Sequence, residues 1–153
     1  MSRDKIDAEL LRILQREGRI SNVELSERVG ISESPCFRRV KALESSGLIA
    51  GYSARLDQRA LGFQVTAFVQ VSLEKQTDAK TRTFIDKVMA EEHIVECHAM
   101  SGSHDYLLKV VARNMDHFSE LTMKRILKFP GVDHIESNFS LQPVKENCGL
   151  PVN

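Results

Sequence analysis

Apolar residues recur at helical spacing three times within the first 47 residues. The first helix is predicted at residues 4–17, where Asp4 can cap the start and Gly18 lies just past the end. Its apolar positions are Ile6, Leu10, Ile13 and Leu14. Because these positions follow the helical period, the helix is expected to pack against its neighbours along that side.

A second, shorter helix is predicted to begin after Ser21, whose hydroxyl can cap it. Glu24 follows three residues later and completes the pattern of a capping box. Gly30 supplies a residue that tolerates positive φ where this helix must end. Its apolar side is formed by Val23, Leu25 and Val29.

A third helix is predicted a few residues further on, and Gly47 closes it. Ser32 or Ser34 can cap this helix, and Pro35 fits its first turn, where a missing N–H costs little. Two helices joined by a tight turn are the outline of a helix-turn-helix, whose second helix lies in the DNA major groove.

The faces of this third helix indicate how it would be used. Cys36, Val40 and Leu43 form an apolar stripe at i, i+4 and i+7. Basic side chains lie on its other sides, which suits phosphate neutralisation and contacts with guanine edges. A charged face that is merely solvated is the alternative interpretation. The residues expected to face DNA are Ser32, Ser34, Pro35, Phe37, Arg38, Arg39 and Lys41.

Three helices in so short a stretch predict a small trihelical core. Ile20 and Ile31 are expected to pack at its two turns. The rest of the expected interior comprises Ile6, Leu10, Leu14, Leu25, Val29, Val40 and Leu43. After the core, residues 48–57 are expected to form a short strand or an extended arm bent at Gly51, and residues 58–63 a connector.

The second half of the chain changes from helical to alternating periodicity. Residues 65–73 alternate apolar and polar side chains, as a half-buried strand does. The predicted elements that follow are a helix at 78–92 capped by Thr77, strands at 94–100 and 106–112 joined by a loop at 101–105, a helix at 115–128 and a strand at 132–144. The apolar faces of these two helices carry Phe84, Ile85, Val88 and Met89, and Met115, Phe118, Leu121 and Ile126.

This β-α-β-β-α-β order predicts a ferredoxin-like domain, with both helices on one face of an antiparallel sheet, and an α+β chain as a whole. Two helices cannot cover Phe68 as well as the valines of the same strand, so the helix-free face is expected to bury itself against a second copy. The predicted domains are a helix-turn-helix at 1–50, a strand or linker at 51–63, a ferredoxin-like domain at 64–144 and an irregular tail at 145–153.

Length and composition are those of a globular protein. The 153 residues are 42% hydrophobic and 27% charged, which suits one ordinary domain or two small ones. No stretch approaches the ~18 apolar residues of a membrane span. The amino terminus lacks the apolar core of a signal peptide, so a cytoplasmic location without membrane contact is expected. Cys36, Cys97 and Cys148 are widely spaced, which argues against a disulfide framework.

The formal net charge of zero does not by itself favour nucleic acid. Residues 1–62 carry 11 Lys/Arg against 9 Asp/Glu, and residues 63–153 carry 10 against 12. Because this asymmetry is weak, DNA affinity is expected to come from locally placed cations and from several copies of the domain acting together.

Motifs in both halves are similar to those of one known family. They are D-x-x-D-A-E-L-L-R-I-L-Q at 4–15, G-R-I-S-N-V-E-L-S-E-R-V-G at 18–30, S-P-C-F-R-R-V-K-A-L-E at 34–44, G-L-I-x-G-Y at 47–52, E-C-H-x-M-S-G-x-x-D-Y-L-L-K at 96–109 and F-P-G-V at 129–132. With these motifs in this order, the sequence resembles the Lrp/AsnC, or feast/famine, family of transcription regulators over nearly its whole length.

The resemblance implies a mechanism. It implies DNA binding by the amino-terminal domain and dimerisation and binding of an amino acid or related metabolite by the carboxyl-terminal domain. It also implies assembly of dimers into octamers, with effectors in clefts where two dimers meet. The effector-binding residues that it implies are Met100, Gly102, Asp105 and Tyr106 in and around the loop, with Met115, Leu127 and Asn138 on the following helix and last strand. Ser103 and His104 lie in the same loop and are expected to contribute to the site, although they depart from the acidic and aromatic residues found there in the family.

The chemistry of an amino acid agrees with that loop. Asp105 can accept hydrogen bonds from the ammonium group, and the N–H groups of a glycine-bearing loop can bind the carboxylate. The alternative interpretation is that Gly102 and Asp105 are ordinary hairpin-turn residues.

An enzyme is the main alternative class, and Cys97 beside His98 is its one Cys/His neighbour pair. Adjacent side chains of a strand point to opposite faces, so these two cannot cooperate. Redox sensing by Cys36 is disfavoured by its apolar stripe. No cofactor is expected, and no metal, because the histidines lack ligand spacing; they are His93, His98, His104, His117 and His134. A metabolite-binding module that acts only through protein partners remains an open alternative.

Overall fold

The computed structural model of the chain describes residues 4–74, 78–146 and 149–152. The chain divides into two compact units. The first consists of Met1–Arg55 together with Val144–Asn153, and the second is Leu56–Pro143. None of the described helices is long and apolar enough to cross a membrane.

The first unit begins with helices α1 (Lys5–Leu14) and α2 (Asn22–Val29). The Asp4 carboxylate caps α1 by accepting a hydrogen bond from the backbone N–H of Ile6. Ser21 caps α2 through the N–H of Glu24. The Glu24 carboxylate pairs with Arg28 at 2.6 Å. Of the two hydrogen bonds of a capping box, the described contacts therefore include only the one from the Glu24 N–H to the Ser21 hydroxyl.

Helix α3 (Glu33–Ser45) follows α2 after a turn at Gly30, whose φ of 73° is in the left-handed region. The predicted position of Pro35 in the first turn is confirmed, and Gly47 follows the end of the helix with a φ of 75°. The Ser32 side chain forms no capping bond, so α3 begins after Ser32 without a side-chain cap. The helix-turn-helix is therefore confirmed.

The core of the first unit is formed by one side of each helix. Its buried residues are Leu10, Leu11, Leu25, Cys36 and Leu43. Around them pack Ile6, Ile13, Leu14, Ile20, Val29, Ile31, Val40, Ile49 and Val152. Every residue predicted for this interior is thus in it, and the apolar stripe of α3 faces inward. Leu11, Ile49 and Val152 were not among the predicted core residues. Residues 50–57 form neither helix nor strand.

The second unit contains strand β1 (Val65–Leu73), helix α4 (Asp78–Ala90), strands β2 (Ile94–Ala99) and β3 (Tyr106–Ala112), helix α5 (Met115–Glu120) and strand β4 (Val132–Phe139). The strands pair antiparallel in the order β2-β3-β1-β4, so the ferredoxin-like prediction is confirmed. The predicted cap Thr77 lies outside the described residues.

One face of β1 forms the core of this unit. Ala67, Val69 and Val71 are fully buried, whereas Phe68 between them is exposed on the opposite, helix-free face. The buried core consists of Ala67, Val69, Val71, Phe84, Val88, Leu108, Val110, Ala112, Phe118, Leu121 and Ile126.

The predicted apolar faces of the two helices were too wide. Phe84 and Val88 are buried, one turn apart, but Ile85 and Met89 are 41% and 80% exposed. Ile85 directly follows Phe84, and Met89 directly follows Val88, so each lies about 100° around the helix from its buried neighbour and points away from the sheet. Met115 in the first turn of α5 is likewise 53% exposed.

The helix predicted at 115–128 is observed over that range, but only Met115–Glu120 is regular α-helix. A π-helical turn, Leu121–Arg125, and a short 3-10 turn, Ile126–Lys128, complete it. The predicted end of the last strand was wrong, because β4 ends at Phe139 rather than at residue 144. Its partner β1 begins at Val65, and the last bond of the ladder joins the N–H of Ser140 to the carbonyl of Thr66. Beyond it, none of the described strands is available to pair with the chain.

Candidate DNA-binding and effector sites

The outward face of α3 carries the candidate DNA-binding residues. Ser34, Phe37, Arg38 and Lys41 are exposed, and Phe37 is 52% exposed despite being aromatic. Pro35 is half-buried in the first turn, with Ser32 exposed just before it. Because Cys36 and Leu43 hold the opposite side of the helix in the core, these outward residues present one continuous surface.

The three cations of α3 have different surroundings. The Lys41 ammonium lies 2.8 Å from a carboxylate oxygen of Glu44 and 5.8 Å from the centre of the Phe37 ring. Arg38 has neither an ion pair nor a side-chain hydrogen bond within residues 4–74, 78–146 and 149–152. Its guanidinium is therefore available to a ligand without breaking an existing contact.

Arg39 is turned towards α1. Its Nη1 lies 2.7 Å from Oδ2 of Asp4 and 2.8 Å from Oδ1 of Asp7. The two carboxylates raise the pKa of Arg39. The pKa of Asp4 is lowered, first by the hydrogen bond from the N–H of Ile6 and then by Arg39. In this structure Arg39 thus lies against α1, and its predicted contact with DNA stays a prediction.

Asp4 and Asp7 were not predicted as partners of this site. Their i, i+3 spacing places both carboxylates on the same side of the amino-terminal turn of α1. That spacing is visible in the sequence, but the arginine that joins them is more than 30 residues away. Only the packing of α1 against α3 brings the three charges together.

The loop at residues 100–105 is the candidate effector site. Met100, Gly102 and Ser103 are exposed. Asp105 connects the loop to β1, because its N–H donates to the carbonyl of Val71 and its Oδ2 accepts from the N–H of Leu73 at 2.7 Å. One carboxylate oxygen of Asp105 therefore has a structural role.

His104 lies in the same loop and is only 22% exposed. Its Nδ1 lies 3.1 Å from the Ser72 hydroxyl, and its Nε2 lies 3.9 Å from a carboxylate oxygen of Glu136. Ser72 and Glu136 were not predicted for this site. Their positions on β1 and β4 place them there only through the register of the sheet, in which Gln70 is opposite Glu136.

The remaining predicted effector residues do not all converge on the loop within one chain. The Tyr106 ring packs against Phe84 in the core, with ring centres 4.9 Å apart. Asn138 is exposed on β4, two residues from Glu136. The loop precedes the seven-residue strand β3, and Met115 follows the other end of that strand. The length of the strand separates Met115 from the loop by about 20 Å. Leu127 is 37% exposed in the turn before β4.

In the part of the chain that the structure describes, neither Cys36 nor the neighbours Cys97 and His98 form a reactive pair. Cys36 is fully buried, and burial raises its pKa. Cys97 and His98 lie opposite Leu108 and Leu107 of β3 and so point to opposite faces of the sheet. Among the described residues, no three His, Cys, Asp or Glu side chains are placed to hold a metal ion.

Two family models match the chain. One lies within the first unit of the fold, and the other covers most of the second unit and extends into the C-terminal segment. The model of a "Winged helix-turn-helix DNA-binding" domain matches residues 3–50. The model of the "Lrp/AsnC ligand binding domain" matches residues 66–150, more than half of the sequence. The chain belongs to the Lrp/AsnC family. Within the Lrp/AsnC architecture, the surface of α3 is in the DNA-binding domain and the loop at 100–105 is in the ligand-binding domain.

Full-length relatives agree with this assignment. The chain is 40% identical over 149 residues to the leucine-responsive regulatory protein of Rhizobium meliloti, covering 97% of this chain and 96% of that protein. It is also 40% identical over 149 residues to the leucine-responsive regulatory protein of Escherichia coli K12, covering 97% and 91%.

Solved structures match over the full length as well. A transcriptional regulator of Neisseria meningitidis, in complex with L-methionine, has a TM-score of 0.96 and 38% identity over 99% of this chain and 98% of its own. An AsnC family regulator of Agrobacterium tumefaciens has a TM-score of 0.92 and 30% identity, with 97% of each chain covered. This Lrp/AsnC protein is a DNA-binding transcriptional regulator with a domain that binds a small ligand.

Proposed function

We propose that this regulator binds duplex DNA through the outward face of α3 and that an amino acid, bound at the loop of residues 100–105, changes its DNA affinity or assembly. The observation that carries the first part is the position of Arg38, an exposed guanidinium without an ion pair in the described chain. Arg38 can contact a phosphate or the edge of a guanine.

Selection from a pool of random duplexes, followed by fluorescence anisotropy, tests the DNA-binding surface. We expect Arg38→Ala to weaken binding to the selected sequence while the protein stays folded. The matched control is Arg82→Ala, which removes the same charge from an exposed position on α4. Equal losses for the two variants would show that only net charge matters and would contradict the assignment to α3.

The effector is expected to be an amino acid, and L-methionine is the first candidate. The Neisseria meningitidis relative, 38% identical, was solved with L-methionine. In this chain the exposed loop offers a carboxylate for an ammonium group, and backbone N–H groups near Gly102 for a carboxylate. Oδ2 of Asp105 is bonded to Leu73, so the ammonium would share that carboxylate with a structural contact.

A pair of substitutions separates these two roles of Asp105. Asp105→Asn keeps an oxygen that can accept from the N–H of Leu73 but removes the charge, whereas Asp105→Ala removes both. We expect isothermal titration calorimetry to show much weaker methionine binding for Asp105→Asn with unchanged thermal stability. Asp133→Asn, on an exposed part of β4, is the control. Parental affinity in Asp105→Asn would exclude the charge of Asp105 from effector binding.

Assembly through the helix-free face of the sheet is the third part of the proposal. Phe68 is 38% exposed on this face, where Leu107 is half-buried and Lys109 pairs with Glu96 at 3.0 Å. An exposed phenylalanine beside a half-buried leucine suits a self-complementary contact between two copies. Two such copies would offer two α3 helices to one operator, and dimers would assemble further, to an octamer.

Light scattering with two variants tests this arrangement. Phe68→Asp places a charge on the helix-free face, and Met89→Asp places the same charge on the exposed side of α4. We expect the parent to exceed the mass of a dimer, Phe68→Asp to dissociate to monomers, and Met89→Asp to remain at least dimeric. Dimers of Phe68→Asp as stable as those of the parent would place the dimer contact elsewhere.

A further inference from the structure

Residues 149–152 run along the exposed edge of α1. The side-chain amide of Gln15 contacts the backbone of Leu150 in both directions, since Oε1 accepts from the Leu150 N–H at 2.5 Å and Nε2 donates to the Leu150 carbonyl at 3.2 Å. This two-way exchange is the pattern of a hydrogen-bonded pair in an antiparallel sheet. The Gln15 side chain thus binds the tail as a neighbouring strand would.

Three further features fix the tail at this place. Nη2 of Arg12 donates to the Val152 carbonyl at 2.9 Å, while its Nη1 pairs with Glu9. The Val152 side chain packs against the buried core of the first unit. Gly149 has a φ of 73°, and a Cβ there would lie 2.9 Å from Oε1 of Gln15. Any larger residue would therefore displace the amide that binds Leu150.

We propose that the edge of α1 formed by Arg12 and Gln15 is a docking surface for the chain's own C-terminal segment, and that docking keeps the DNA-binding unit in its active form. The ligand-binding unit is connected to the first unit at both of its ends, at residues 55–56 and at residues 143–144. Because Val152 packs against the same core as Cys36 and Leu43 of α3, docking of the C-terminal segment would help to hold α3 in place.

The energetics of a tethered segment support docking. A segment on the same chain is present at a high effective concentration, so a few hydrogen bonds and one apolar contact are enough to hold it. Each bond in this contact has a modest net effect, so removing the two that Gln15 makes is expected to release the segment rather than to unfold the unit. The functional part of the proposal rests on DNA binding by α3.

Amide hydrogen exchange of the full-length protein tests docking without DNA. We expect the Leu150 amide to be protected in the parent and to exchange about fivefold or more faster in Gln15→Ala and Gly149→Val, as the loss of a hydrogen bond implies. The amide of Val40 in α3 is expected to lose protection in the same variants, and that of Val110 in β3 to keep it. Arg16→Ala is the control, since Arg16 is exposed beside Gln15 and forms no hydrogen bond or ion pair with the described tail.

The same variants are then measured by anisotropy against the selected duplex. We expect Gln15→Ala and Gly149→Val to bind it at least about threefold more weakly than the parent, a change that a loosened α3 would produce. Free exchange of the Leu150 amide in the parent would overturn docking. Fast exchange in the variants with parental DNA affinity would overturn its link to α3. A parent that binds no duplex at all, yet protects Leu150, would instead contradict the proposed function.

Discussion

Arg38 and Arg39 are adjacent in the sequence, but we expect their loss to weaken DNA binding by different routes. Arg38 is exposed on the outward face of α3, whereas Arg39 bridges Asp4 and Asp7 of α1. Removing Arg38 takes away the contact with DNA that we propose for its guanidinium. Removing Arg39 leaves two carboxylates beside α3 without their counter-charge, and these repel the phosphates.

The size of the Arg38 effect follows from what its guanidinium meets. Each phosphate contact steepens the fall of log K with log salt by about 0.9. The factor by which that contact raises the binding constant therefore decreases about 3.5-fold between about 50 and 200 mM salt. A bidentate contact with guanine is worth about 1–3 kcal/mol, or about 5- to 150-fold in affinity. We expect Arg38→Ala to lower the affinity for DNA by about 5- to 150-fold for each α3 helix that contacts the duplex.

The Arg39 effect is isolated by a double-mutant cycle. Asp4→Asn together with Asp7→Asn neutralises both carboxylates, and asparagine at position 4 still caps α1. If Arg39 acts only through these carboxylates, Arg39→Ala weakens binding in the parent but has almost no effect in the neutralised background. Arg38→Ala is the control and should have the same effect in both backgrounds.

Fluorescence anisotropy across a salt series measures all members of the cycle on one selected duplex. An equal loss on Arg39→Ala in the two backgrounds would show that Arg39 contacts DNA directly and would refute the role assigned to its ion pairs. A salt slope and affinity unchanged by Arg38→Ala would refute the assignment of the outward face of α3.

Three further results are expected. Phe84→Ala, at a fully buried position, should lower the free energy of unfolding by about 3–5 kcal/mol in chemical denaturation, whereas Met89→Ala, 80% exposed, should change it by less than about 0.5 kcal/mol. Because the pKa of Asp4 is below its ordinary value of 3.8, its contribution to stability is present above that pH and is lost as the pH falls through the lower value of the folded state. Arg39→Ala should flatten this part of an acid titration followed by circular dichroism, and an unchanged profile would contradict the ion pair. The Cys36 thiol, fully buried, should react with a disulfide reagent only as fast as the first unit unfolds, and rapid labelling of the native protein would contradict its burial.

Local sequence signals predicted the elements of this fold well. Ser21 and Gly30 mark both ends of α2, and the alternation in residues 65–73 identifies both the strand β1 and its buried side. These features depend on residues that are neighbours in the chain, so the sequence contains the information directly. The order of elements then leaves the ferredoxin-like sheet as the arrangement that buries the apolar faces.

Features that depend on distant residues were predicted less well. The ion pairs of Arg39 join residues more than 30 positions apart, and Leu150 binds a side chain 135 positions away. Ile85 follows the helical period as well as Phe84 does, but a helix on a sheet buries only a narrow side. The end of β4 depends on where its partner begins, at Val65.

In the candidate sites too, features set by neighbouring residues were predicted better than features set by distant ones. The motif around residues 100–105 located a loop, but its sequence did not show that Asp105 binds the N–H of Leu73 or that His104 reaches Ser72. Both contacts follow from the register of β1 with β3 and β4. In α3, helical spacing separated Cys36 and Leu43 from the exposed Arg38, yet gave no indication that Arg39 turns to α1.

Photo-cross-linking tests most directly whether α3 contacts DNA. A photoreactive phenylalanine analogue at position 37, exposed on the outward face of α3, is compared with the same analogue at position 89 on α4. With the selected duplex bound and irradiated, we expect a protein–DNA cross-link from position 37 and none from position 89. A complex that forms with parental affinity but cross-links only from position 89, or from neither position, would contradict DNA binding through α3.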